Sequence, residues 1–162
     1  MNDKKCILLT GRQNIKCYDN IIKILDFLNA DLFLIYEEDT CNYLNYKNLK
    51  DSLKVPYNTR DPNSSKHQSQ RMRIKIQYDK LKLGWELIEA YENKNNFQYK
   101  VIYRLRPDIL YELDDKLNFI PKKNEVYLNS DKIFYGLRED VKYCFLLYEY
   151  LKDLKKNNKE YD

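Results

Sequence analysis

The sequence predicts an α/β fold, a single three-layer domain whose mainly parallel central sheet is flanked by helices. Three features predict it. Residues 6–9 are a continuous apolar run of strand length and 31–36 is another from Leu32 onward, the stretch between them carries apolar residues at helical spacing, and a long helical period later runs into a further apolar stretch at 101–103. Such runs mark strands buried on both faces. Strand, helix and strand in that order form a right-handed crossover whose parallel strands hold their ligand crevice at the carboxyl ends.

The elements follow in order. Cys6-Ile7-Leu8-Leu9 is the first strand and empties into Thr10-Gly11-Arg12-Gln13. From Tyr18, the residues Ile21, Ile22, Leu25 and Leu28 recur at helical spacing, with Asp19 or Asn20 available as a cap. The second strand, 31–36, ends in Glu37-Glu38-Asp39, three carboxylates where a strand meets its loop. Residues 55–70 are almost wholly polar and predict a mobile loop or lid. Met72, Ile76, Leu81, Trp85, Ile88 and Tyr91 then approximate one face of a long helix beginning near Arg71. Val101-Ile102-Tyr103 is a buried strand stopped by Pro107, which disfavours helix at Arg106 and has no N–H for a ladder. Residues 126–128 and 133–135 are short strands around a turn at 129–132. Val141, Cys144, Phe145, Tyr148 and Leu151 predict a last amphipathic helix, so that the domain spans 1–155 and 156–162 is a polar tail.

A chain of 162 residues fits one domain, and at this size about 68–70% of the unfolded surface is buried on folding. With 43% hydrophobic residues and 16 Tyr against 4 Pro and 3 Gly, an ordered globule is expected rather than a disordered chain. A net charge of +4, from 29 basic and 25 acidic residues, permits nucleic-acid binding without announcing it, and no recognition-module signature supports that partner. Cys6, Cys17, Cys41 and Cys144 are far apart and His67 is the only histidine, a pattern against a zinc site. The chain shows neither a secretory leader nor an apolar run near the ~20 residues that span a bilayer. A cytoplasmic protein with free thiols is expected.

Two guanidiniums and a carboxylate alternate in Arg104-Leu105-Arg106-Pro107-Asp108. If the strand persists through them they share one face, with Tyr103 and Leu105 on the other. Arginine offers a rigid fork of donors suited to phosphate oxygens, and a carboxylate here could hold a divalent cation. Alternatively, Arg104 or Arg106 pairs with Asp108 or with Glu37, Glu38 or Asp39 and fixes loops. Gly11 after the first strand either lets backbone N–H groups approach a phosphate or serves a plain turn. Neither a Gly-x-Gly-x-x-Gly fingerprint nor a P-loop is present. Asp131 beside Phe134 and Tyr135 suits a sugar if the rings are exposed, or is a turn residue beside core aromatics. His67, in a polar stretch, reads as solvated.

Three segments together, Cys6-Ile-Leu-Leu-Thr-Gly-Arg12, Tyr99-Lys-Val-Ile-Tyr-Arg-Leu-Arg-Pro-Asp-Ile109 and Asp131-Lys-Ile-Phe-Tyr-Gly136, resemble GT-A type glycosyltransferase-like proteins of bacteria and viruses. In that group an opening strand ends in a Ser/Thr-Gly turn, and a long helix leads to a strand ending Arg-x-Arg-x-Asp. The resemblance implies a Rossmann-like sheet and transfer of a sugar from a nucleotide-sugar donor to a glycan or other hydroxyl acceptor. It puts Thr10, Gly11, Arg12, Arg104 and Arg106 on the nucleotide and diphosphate. Asp108 would match the last acid of the Asp-x-Asp motif and hold Mn2+ or Mg2+, and Asp108 and Asp131 would be the catalytic acids. Position 106 is Arg where that motif has its first acid, so the chain is either a transferase or a non-catalytic nucleotide- or glycan-binding derivative. Under this resemblance, loss of Asp108 weakens donor binding.

Overall fold

The first strand, β1 (Lys5–Thr10), alternates its side chains between two cores: Ile7 and Leu9 enter one, Cys6 and Leu8 the other. A computed structural model describes residues 4–38, 40–56, 66–113, 115–129, 132–147 and 149–150. They form an α/β fold on a six-stranded mixed sheet. Its other strands are β2 (Asp31–Tyr36), β3 (Leu49–Lys54), β4 (Val101–Leu105), β5 (Val126–Asn129) and β6 (Ile133–Leu137). The spatial order is β3-β2-β1-β4-β6-β5. β1 pairs in parallel with β2 and β4, and β2 with β3, whereas β6 is antiparallel to both β4 and β5.

Helix α1 (Tyr18–Leu28) covers one face of the sheet, where Ile21, Ile24 and Leu25 pack with Ile7, Leu9, Leu32 and Leu34. It ends at Asn29, which takes the left-handed conformation (φ 48°) that asparagine tolerates at a helix C-terminus. Helices α2 (Lys66–Asn95) and α3 (Arg138–Phe145) share the opposite core through Leu81, Trp85, Ile88, Val141 and Phe145. Full burial of each such large apolar side chain contributes about 1.5–3 kcal/mol. At Gly84 a Cβ would overlap the Leu8 side chain, so the glycine sets how closely α2 approaches β1. Between α2 and α3 lies a buried ion pair: the Glu92 carboxylate, 1% exposed, accepts from Arg138 Nε at 2.9 Å and Nη2 at 2.8 Å. Among the described residues, no helix is long and apolar enough to cross a membrane.

The structure revises several sequence expectations. Residues 66–70 belong to α2 and not to a loop at 55–70, so His67 is helical in its backbone. This end of the helix is open to solvent, with Met72 51% and Ile74 47% exposed, so Met72 is not core. Strand β3 is half-exposed at the sheet edge and therefore lacks the apolar run of a buried strand. Of the two readings of Phe134 and Tyr135, the structure bears out core aromatics: both are buried, because β6 lies between β4 and β5. α3 ends at Phe145, the chain breaks from helix at Leu146 and is helical again at Leu147 and at 149–150, and the expected Tyr148 and Leu151 lie outside the described residues. Asp39, Asp131, residues 57–65 and the expected tail 156–162 lie outside the described residues.

Candidate functional site

The strand order reverses at the β1/β4 boundary: the chain runs from β1 outward through β2 and β3, then returns to place β4 on the other side of β1. In open α/β sheets such a reversal opens a crevice beyond the carboxyl ends of the two strands. A cavity of about 390 Å³ lies here, within the range of small-molecule sites. β1 delivers Thr10, Gly11 and Arg12 to it, and β4 delivers Arg104, Arg106 and Asp108. Six of the seven residues singled out from sequence thus line one space, and the seventh, Asp131, lies outside the described residues.

Arg104 owes its place to the pleat of β4. Tyr103 and Leu105 enter the α1-side core, so Arg104 emerges on the α2 side, only 5% exposed, where its Nε donates to Thr10 Oγ1 at 3.3 Å. The expected sharing of one strand face by Arg104, Arg106 and Asp108 does not occur, since β4 ends at Leu105. Beyond it the chain turns, and Arg106 folds onto Asp108 as a two-pronged pair, Nε to Oδ1 at 3.0 Å and Nη2 to Oδ2 at 2.7 Å. The Arg106 hydrogen bonds, with further attraction from Arg104, hold the Asp108 carboxyl below the usual carboxylate range. Gly11 adopts φ +131°, a conformation L side chains rarely take, and a Cβ there would lie 3.4 Å from Pro107 Cδ. The strand ends of β1 and β4 therefore meet where only glycine fits without strain.

Tyr111, which the sequence reading passed over, and Asn20, expected there only as a helix cap, fix the turn after β4. The Tyr111 hydroxyl accepts from the Arg106 N–H at 2.9 Å and donates to the Lys132 carbonyl at 2.8 Å. Burial raises its pKa to about 12. The Asn20 side chain brackets the Tyr111 backbone, donating to its carbonyl and accepting from its N–H, both at 2.8 Å. Gln13 similarly ties the loop after β1 to the one after β2, donating to the Thr40 carbonyl at 2.9 Å and accepting from the Asn42 N–H at 3.1 Å.

The cavity wall opposite the strands is α2, which contributes Arg73, Ile76, Gln77 and Lys80. Arg73, Gln77 and Lys80 also escaped the sequence reading, their signal being polar residues at positions i, i+4 and i+7 on one helical face, whereas Ile76 was expected on the helix's apolar face. Lys80 is ion-paired with Glu37, the residue that follows β2. Among the described lining residues five cations, Arg12, Arg73, Lys80, Arg104 and Arg106, stand against two carboxylates, Glu37 and Asp108. Each carboxylate already has a cationic partner. Such a lining suits an anion with several oxygens and does not fit a divalent cation such as Mn2+ or Mg2+. Among the described residues no group of three or more His, Cys, Asp or Glu converges.

No family model, curated protein or solved structure matches the chain.

Proposed function

We propose that this cavity binds the diphosphate of a nucleotide sugar, and that the chain is a short glycosyltransferase-like domain of the GT-A type. The observation that carries the reading is the convergence of five cationic side chains from β1, β4 and α2 on one cavity at the strand-order reversal. Guanidinium forks match phosphate oxygens in pairs. In glycosyl transfer the diphosphate gains charge as the sugar leaves it, and cations fixed beforehand stabilise that charge without reorganising. The Thr10-Gly11-Arg12 turn would meet the nucleotide, and Asp131 the sugar or the hydroxyl acceptor. Arg106 and its neighbours would take the place of a metal.

A second reading, a binding domain without transferase activity, is favoured by the two-pronged Arg106–Asp108 pair, which occupies the carboxylate that would hold a metal or take a proton. A thermal-shift series with UDP-, GDP-, CMP- and dTDP-sugars, each with EDTA and with Mn2+, tests both. At 100 times its Kd a donor adds about 2.7 kcal/mol of stability. At least one donor is expected to stabilise the protein in EDTA, and Arg73→Ala with Lys80→Ala to weaken the shift. If no donor moves the midpoint, nucleotide-sugar binding is wrong. Transfer or hydrolysis of the stabilising donor then separates enzyme from binder.

A further inference from the structure

A second cavity of about 400 Å³ adjoins the first, and its lining is mostly apolar. Helix α2 walls both. Arg73, Gln77 and Lys80 line the cationic cavity, and Ile74, Tyr78 and Leu81, each one position further along the helix, line the other. One residue rotates the direction by about 100° on a helix of 3.6 residues per turn. A polar stripe and an apolar stripe thus run side by side. Leu128 from β5, Phe134 from β6, Cys144 from α3 and Leu147 just beyond it close the apolar cavity.

Gln77 and Arg104 line both cavities. The apolar space therefore ends on a guanidinium, and beyond it lie the other four cations. Its rim is wet: Ile74 is 47%, Leu128 65% and Leu147 39% exposed. Apolar surface left open around a cavity, next to a cationic one, is complementary to a ligand that is itself divided, with hydrocarbon at one end and negative charge at the other.

We propose that the two cavities form one bipartite site, and that the apolar one takes the hydrocarbon portion of an amphiphile whose phosphate head meets Arg104 at the shared wall. This rests on reading the cationic cavity as a phosphate site, and it adds the class of a second ligand. A cavity of this size holds a single chain rather than a lipid surface.

The test titrates the full chain with butyl, hexyl and octyl phosphate as monomers, beside inorganic pyrophosphate, octanol and octyltrimethylammonium. Binding is read from the thermal midpoint and from the reactivity of Cys144, the only thiol of the four that is not fully buried. Each added methylene is expected to tighten Kd about four-fold until the cavity is filled, the equivalent of about 0.8 kcal/mol. Octyl phosphate slows thiol modification of Cys144, and octanol and the cationic amphiphile bind at least ten-fold more weakly. Leu128→Asp, at a solvent-open position, abolishes the chain-length dependence and leaves pyrophosphate affinity unchanged; Leu147→Asp provides the same comparison from the opposite rim. Equal affinity across chain lengths, equal binding of the cationic amphiphile, or insensitivity to both substitutions would overturn the bipartite site. Pyrophosphate binding with no chain-length effect defeats this proposal alone, whereas failure of pyrophosphate and every phosphate amphiphile to bind defeats the phosphate site with it.

Discussion

Replacing Asp108 by Asn separates a carboxylate that holds a metal from one that restrains an arginine. In the structure both oxygens of Asp108 are taken by Arg106, at 3.0 and 2.7 Å. The substitution keeps the side-chain shape, removes one of the two negative charges in the lining, and releases Arg106 towards the cavity. A unit charge about 6 Å from a phosphate is worth about 0.7 kcal/mol in water and about 3 kcal/mol at an effective dielectric near 20. The pair is partly exposed, 26% and 28%, and lies between those limits. A gain of about 1–2 kcal/mol corresponds to pyrophosphate affinity raised about five- to thirty-fold. The expected sign is thus the reverse of that from the Asp-x-Asp resemblance. Because the pair is solvent-accessible, its loss costs about 0–1 kcal/mol of stability and leaves the fold intact. Calorimetric titration with inorganic pyrophosphate, once in EDTA and once in Mn2+, reads the effect. Weaker binding by Asp108→Asn, or an Mn2+-dependent gain in the native protein that the variant loses, would refute the reasoning and return Asp108 to a metal.

Three further outcomes concern the scaffold. Glu92→Gln takes the buried carboxylate from Arg138, which keeps Glu89 at 3.4 Å and the exposed Glu139 at 2.7 Å, and is expected to lower the unfolding free energy by about 1–3 kcal/mol in urea titrations; no measurable loss would show that Glu89 and Glu139 compensate Arg138 in full. Gly84→Ala gains about 1 kcal/mol of helix propensity but forces a methyl into the fully buried Leu8. Overpacking costs about 1–3 kcal/mol, so a lower midpoint is expected, and a raised one would mean that α2 shifts freely. Burial raises the pKa of Tyr43, Tyr46, Tyr99, Tyr103 and Tyr111. The unfolded chain therefore releases these protons first, and stability that is intact below about pH 10 falls as pH rises above it. Tyrosinate absorbance from these five should grow with loss of the far-ultraviolet helix signal, and its full appearance in a still folded protein would contradict their burial.

How far the fold could be read depended on where each element sits. β1, β2 and β4 are buried on both faces, so their apolar runs were legible, and α1 betrayed itself through Ile21, Leu25 and Leu28 against the sheet. β3 was not legible, because at the edge it needs few apolar side chains and its ladder is made by backbone groups that any residue supplies. The first turns of α2 were lost for a related reason: where a helix leaves the core, its sequence no longer records the period. The pairing of β5 with β6 needed three dimensions, since its register, Val126 opposite Gly136, depends on how β6 lies against β4.

The site divides along the same line. Residues that end or follow a strand, Thr10, Gly11, Arg12, Arg106 and Asp108, could be assigned to one crevice because a parallel sheet brings its carboxyl ends together wherever the chain has travelled between them. Arg73, Gln77 and Lys80 could not, because a helical stripe of polar residues is the ordinary appearance of a solvated face. Only the crossing of α2 over β1, fixed at Gly84 against Leu8, turns that stripe towards the strand ends. Two of the five cations of the cavity, Arg73 and Lys80, therefore owe their place to helix packing in the core. Gly84→Ala, which shifts α2 without touching any lining residue, should then weaken pyrophosphate binding as well as lower stability. If binding were unchanged while the midpoint fell, Arg73 and Lys80 would be bystanders and the strand ends alone would hold the anion.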